Sequence, residues 1–269
     1  MIIRNNFLVF YRIDPLKSPI KANPLRNPGE SLNHRLQNIF LDGIVPYFIA
    51  ALCFVLIAAW EWIRWYTQTS PNPVLFTVMA IPCIATLLWK IYKGRKEVKR
   101  IKLGLAGELA VGQFLERLRA QGSHIFHDIP GKGFNLDHVV IHSSGIYVIE
   151  TKTLSKPDRG ESKLVYDGNH ILKNSTALDR NPITQVRANS RWLRELLESS
   201  TGKLFPIQPV VLFPGWYIQS VANAKNSEVW VLNPKALSPF IMNNPTCLRD
   251  DEVSMCSLHL SRYIRSSGK

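Results

Sequence analysis

Residues 136–153 read LDHVVIHSSGIYVIETKT, and this stretch decides how the chain folds. Two runs rich in Val, Ile and Tyr flank Ser143-Ser144-Gly145, the pattern of two antiparallel strands joined by a tight turn. Pairing His142 with Gly145, or Ile141 with Ile146, and counting outward sets Asp137 opposite Glu150. Their Cβ atoms are then about 4.5–5.5 Å apart. Side chains alternate along a strand, so Glu150 and Lys152 share one face while Thr151 takes the other. By the same alternation His138 points away from Asp137 and reads as a packed or hydrogen-bonded core histidine rather than a ligand.

Two carboxylates at that separation repel each other, and the arrangement is costly without a compensating cation. Oxygen donors select a hard divalent ion, Mg²⁺ or Mn²⁺. Lys152 stands two residues from Glu150 on the same face, where it can orient an attacking water or stabilise charge on a phosphate oxygen. A Glu-x-Lys by itself is usually a solvated ion pair. The opposed Asp137, across an apolar run, turns the pattern toward a metal site.

Outward from the hairpin the helical and strand patterns alternate. GLAGELAVGQFLERLRAQG (104–122) places Leu105, Leu109, Phe114, Leu115 and Leu118 at helical spacing and predicts a helix ending at Gly122. A strand over His124–Ile129 follows, then the loop Pro130-Gly131-Lys132-Gly133. A second hairpin is expected over Lys163–Leu172, turning at Asp167-Gly168. A helix from Pro182 to about Leu197 has proline in its first turn. Strands over Gln208–Phe213 and Glu228–Leu232, a helical stretch after Asn233-Pro234 and another over Met255–Ile264 complete the chain. This order predicts an α/β fold, a central sheet flanked by helices. On the Pro182 helix, Arg187, Arg191 and Arg194 share a face and are candidates for nucleic-acid phosphates, although a solvated face would look the same. Trp192 reads as core.

The first hundred residues are of another kind. Gly43–Trp60 (GIVPYFIAALCFVLIAAW) and Pro73–Trp89 (PVLFTVMAIPCIATLLW) carry no charge, and a spanning helix needs about 20 residues. Tyr47, Trp60, Trp62, Trp65, Tyr66, Trp89 and Tyr92 border them as an interfacial belt would. Two transmembrane helices, about 43–62 and 73–92, are therefore expected. Arg4, Arg12, Lys17, Lys21, Arg26 and Arg35 precede the first, and Lys90, Lys93, Arg95, Lys96, Lys99, Arg100 and Lys102 follow the second. Only Arg64, near Glu61, lies between them. The positive-inside rule then places both termini in the cytoplasm. The expected organisation is a cytoplasmic segment 1–42, the spans in 43–92, a basic juxtamembrane linker 93–103, a nuclease-like domain 104–220 and an extension 221–269. The basic run 89–103 reads as a stop signal that touches anionic lipid, with a nucleic-acid patch as the alternative.

A formal net charge of +13 over 269 residues points to nucleic acid or an anionic membrane as partner, and a hydrophobic content of 46% excludes a disordered chain. The four cysteines have no CxxC spacing, which argues against zinc and against a disulfide framework.

Asp137 at one strand end followed by Glu150-x-Lys152 on the next resembles the PD-(D/E)xK fold of restriction endonuclease-like proteins. More narrowly, GLAGELAVGQFL, LDHVVIHSSGIYVIETKT, DRNPITQVRANSRWLRELL and PIQPVVLFPG resemble the NERD (nuclease-related domain) family over 104–215, with the spans outside it. The resemblance implies a restriction endonuclease-like mixed sheet flanked by helices, here preceded by a transmembrane hairpin. It implies Asp137 and Glu150 as metal ligands, Lys152 as the catalytic lysine, Glu108 as the acidic position that completes such sites and Gln185 as a polar position on the following helix. Leu136 stands where the family commonly has Ile, and Thr153 where Asn is frequent. The expected activity is membrane-anchored, Mg²⁺- or Mn²⁺-dependent phosphodiester hydrolysis of DNA or RNA. The alternative is an inactive nuclease-fold module that binds nucleic acid or a protein partner at the membrane.

Overall fold

The computed structural model describes residues 25–68, 72–157, 161–178, 181–222, 224 and 227–267. The basic residues Arg4, Arg12, Lys17 and Lys21, and the turn 69–71 between the two apolar helices, lie outside the described residues.

A central five-stranded sheet has the order β1-β2-β3-β7-β9. It is built from β1 (His124–Pro130), β2 (Asn135–His142), β3 (Gly145–Thr151), β7 (Ile207–Leu212) and β9 (Trp230–Leu232). The β1-β2-β3 meander is antiparallel, and β7 and β9 join it in parallel. Every residue of β3 is buried, as a strand covered on both faces requires. Ile146 and Val148 face the helices α4 (Pro182–Thr201) and α6 (Asp250–Ser267). Tyr147 and Ile149 face α3 (Pro73–Arg119) and α5 (Pro234–Met242). The result is a mixed sheet between two helical layers, the expected α/β architecture. Residues after Trp216 complete it: β9 closes the sheet edge, and α5 and α6 each cover one face.

Several details depart from the sequence expectation. A second, four-stranded sheet holds β6 (Thr176–Ala177), β5 (Ile171–Lys173), β4 (Lys163–Tyr166) and β8 (Tyr217–Ser220) in that order, so the predicted second hairpin belongs to a separate layer. On α3 the packed residues are Gly107, Val111, Gly112, Leu115 and Leu118, while Leu109 is exposed. The glycines belong to the packed face because the chain passes close by there. A methyl group on Gly112 would overlap Pro28, and one on Gly107 would overlap the Thr153 hydroxyl.

The largest departure is the length of α3. The second apolar segment, the basic stretch 93–103 and the first helix of the domain are one continuous helix of 47 residues, running through Pro82 without a break. At 1.5 Å per residue it is about 70 Å long. α2 (Val45–Tyr66) packs along its first half, and α1 (Glu30–Leu41) runs beside its middle. Two helical stretches, Glu30–Tyr66 and Pro73–Arg119, are long and apolar enough to cross a membrane, and only 6% of the apolar window of each is buried. A hairpin inside a soluble core would bury those windows. Beyond the apolar part, α1 and the middle of α3 form a two-helix stalk leading to the sheet.

The base of the stalk is pinned by Asp128, a buried residue with φ of +48°. Its carboxylate accepts from the Ser31 backbone N–H (3.0 Å), the Ser31 hydroxyl (2.5 Å), Asn135 Nδ2 (3.1 Å) and Arg26 Nη1 (3.2 Å). Ser31 is in the first turn of α1, so the carboxylate also meets the positive end of that helix.

Candidate active site

The register of the β2-β3 hairpin is the one counted from the sequence: His142 pairs with Gly145, Ile141 with Ile146 and His138 with Ile149. The next rung outward holds Asp137 and Glu150. There the ladder gives way to a side-chain bond, the Thr151 backbone N–H donating to Asp137 Oδ2 at 2.7 Å. This orients the Asp137 carboxylate toward the end of β3. Lys152 lies just past the strand, its backbone N–H held by the Leu212 carbonyl at 2.9 Å. Its Nζ is 2.7 Å from Glu150 Oε1 and 3.0 Å from Gln185 Oε1. Glu150 is 2% exposed. Its other oxygen is within 3.4 Å of Asn189 Nδ2, four residues along α4 from Gln185 and on the same face.

Glu108 reaches the site from α3. It lines a single cleft of about 670 Å³ together with Asp137, Glu150 and Lys152. The Gly107–Thr153 approach permits this, because it lets α3 settle against the residues that follow β3. Asp137, Glu150, Lys152, Glu108 and Gln185 are thus brought to one place.

The electrostatics agree with the crowding. Burial pushes the Asp137 carboxyl well above the usual range, with Glu150 and Glu108 adding to it. Burial also raises Glu150, opposed by the Lys152 ammonium. Glu108 is raised to about 7, first by burial and then by Asp128 and Glu150. All three carboxyls are pushed upward chiefly because they are buried, with their mutual repulsion adding to it for Asp137 and Glu108, and Lys152 is the cation that opposes the shift.

That donor set fits a hard divalent ion. Among the described residues no group of three or more His, Cys, Asp or Glu side chains converges to hold a metal. An ion bound here would therefore draw Asp137 and Glu150 from the protein and fill its shell with carbonyl or water oxygens, as Mg²⁺ commonly does.

The arginines of α4 lie away from this cleft. Arg187 lies about 200° around the helix from Gln185, and its Nε is 3.4 Å from Glu228 Oε2. Neither it nor Arg191 nor Arg194 lines the cleft, because Gln185 and Asn189 occupy the face of α4 turned toward it. His138 is fully buried and bonds His127 Nδ1 at 2.8 Å, a core histidine as expected. Trp192 packs edge-on against Phe134 and Tyr263. Asn189 escaped the sequence reading, although a polar residue one turn beyond Gln185 and beside the apolar Val186 and Leu193 was a usable signal.

Residues 103–214 match the family model of NERD, the nuclease-related domain. The match runs from the last part of α3 through β7 and contains all five of these residues. No curated protein and no solved structure matches the chain.

Proposed function

We propose that this nuclease-related domain is a divalent-metal-dependent phosphodiesterase acting on nucleic acid, DNA in the first place, at the inner face of a cytoplasmic membrane. The observation that carries this reading is the Asp137–Glu150 rung with Lys152 Nζ 2.7 Å from Glu150, all in one open cleft. Asp137 and Glu150 would hold Mg²⁺ or Mn²⁺, with Glu108 positioned to bind it through water. When bound, such an ion polarises the scissile phosphate and lowers the pKa of a coordinated water.

The chain's own residues supply the rest. Lys152 is held by two acceptors, so its ammonium is fixed before substrate arrives, and it can neutralise charge developing on a phosphate oxygen. Gln185 gives Lys152 a second acceptor at 3.0 Å and Asn189 donates to the other Glu150 oxygen at 3.4 Å, so the Lys152–Glu150 pair is oriented from α4. The membrane placement is supported by the two apolar helices and by the basic residues beyond their ends.

The test uses the purified full chain in detergent with plasmid DNA, linear DNA and RNA, each with Mg²⁺, Mn²⁺ or chelator. Metal-dependent cleavage is expected, reduced by about 10²-fold or more in Lys152→Ala and in Glu150→Gln. Undiminished cleavage by both variants removes the mechanism. A second reading, a domain that binds nucleic acid without cutting it, is favoured by the small protein ligand set. It predicts salt-sensitive binding with no metal-dependent turnover. A reporter fused after residue 269 that is active only outside the cytoplasm overturns the topology.

A further inference from the structure

The basic stretch after the second apolar segment reads in the sequence as one undivided patch, a juxtamembrane stop signal ahead of a nucleic-acid contact. Helical geometry divides it. Lys93, Lys96 and Arg100 recur at three and four residues, sharing one face of α3. That face lines the same cleft as Asp137, Glu150 and Lys152. Arg95 and Lys99 lie on other faces and do not line it, and Lys102 borders a separate apolar groove between α1 and α3.

We propose that the cleft-facing side of the stalk, with Lys96 and Arg100 at its centre, is a phosphate-binding track that seats a nucleic-acid backbone beside the carboxylate pair. This rests on the nuclease reading above and adds to it a binding element outside the 103–214 match.

Three observations carry it. The cations and the candidate catalytic groups share one continuous cleft, so a chain of phosphates on the site meets the stalk next. The stalk wall is not self-neutralised: between Lys93 and Arg100 its acidic residue, Glu97, is paired with Arg35 of α1 at 2.6 Å, which leaves Lys96 and Arg100 facing the cleft with no ion pair among the described residues. Lys93, nearer the membrane, holds its ammonium 5.0 Å above the Trp89 ring, an arrangement that keeps it on the stalk side. Eight residues separate Arg100 from Glu108, about 12 Å along the helix, a span of two or three nucleotides of backbone. A lipid headgroup offers the same phosphate chemistry, but a bilayer surface would engage all faces of the basic stretch rather than this one.

The experiment measures binding of a labelled DNA oligonucleotide by the full chain in neutral-lipid nanodiscs, with chelator present to prevent turnover, across a salt series. The paired variants are K96Q/R100Q on the cleft face and R95Q/K99Q on the others, equal in charge change. The cleft pair is expected to weaken binding and flatten the log-affinity against log-salt slope by about 1.8, two phosphate contacts at about 0.9 each. The control pair should leave the slope near the wild-type value. Equal losses from both pairs overturn the track, as does a wild type that binds no DNA. A cleft-pair loss confined to vesicles containing anionic lipid overturns it in favour of the membrane surface. Glu150→Gln, assayed for cleavage with Mg²⁺ in place of chelator and for binding in the salt series, keeps the two proposals apart. Full cleavage by that variant ends the catalytic reading while a face-specific binding loss still supports the track.

Discussion

Glu108→Gln should make the metal-free protein more stable and do so in a pH-dependent way. Glu108 is 8% exposed, and its carboxyl is raised from 4.5 to about 7, with burial the largest cause and Asp128 and Glu150 next. Between those two values the folded chain binds more protons than the unfolded one, so stability falls as pH rises through that window. A displacement of that size corresponds to about 3 kcal/mol of destabilisation once the pH is above both values. Gln keeps the shape and removes the charge. With chelator present, the variant should melt several degrees above wild type at about pH 8, at roughly 2–4 °C per kcal/mol for a chain of this size. The gap should shrink to under about 1 kcal/mol near pH 5, where the wild-type group is already protonated in the fold. Adding Mg²⁺ should narrow the gap at the higher pH by stabilising wild type more, since a ligand that binds only the folded state raises its stability. Thermal melts of both proteins at the two pH values provide the measurement. Equal melting at pH 8, or the same difference at both values, would refute the claim that a desolvated, like-charge cluster forms this site.

Other expectations follow from the packing around that cluster. Gly107→Ala should cost about 1–3 kcal/mol, because the added methyl meets the Thr153 side chain and forces α3 away from the end of β3. A double variant with Thr153→Gly should recover most of the lost melting temperature, and no recovery would place the strain elsewhere. The buried His138 has its basicity pushed well below the ordinary range, first by burial and then by His127. The unfolded chain therefore takes up the proton more readily, and the histidine contribution to stability is lost as pH falls below about 6.5. A chemical-denaturation series across that range should show the loss, and His138→Asn should flatten it.

The site was legible in the sequence to the extent that it is local. A hairpin around Ser143-Ser144-Gly145 has one register that buries both apolar runs, so the Asp137–Glu150 rung and the shared face of Glu150 and Lys152 follow from counting. The helix beginning at Pro182 was legible too, with Asn181 capping the Ile183 backbone N–H at 3.0 Å. The continuity of α3 was not. The change from apolar to basic composition at Lys90 reads as a boundary, but a change of surroundings does not end a helix, and α3 runs on through Gly94 and Gly104 in helical conformation. The packed face of α3 differs from the hydrophobic stripe for a related reason. Its contacts are made at Gly107 and Gly112, where closeness of approach rather than side-chain hydrophobicity decides which side turns inward.

The residues alone determined the strand pairing, the opposed carboxylates with their lysine, and the two apolar segments, because each depends on neighbours within one turn or one hairpin. Only the tertiary structure decided that Glu108 joins them, that Asn189 rather than Arg187 faces Glu150, and that Asp128 ties the start of α1 to the sheet. It also decided which side of the basic stretch looks into the cleft. Those outcomes depend on the angle and depth at which a helix lands on a sheet, which is fixed by packing between segments a hundred residues apart and is written in no single one of them.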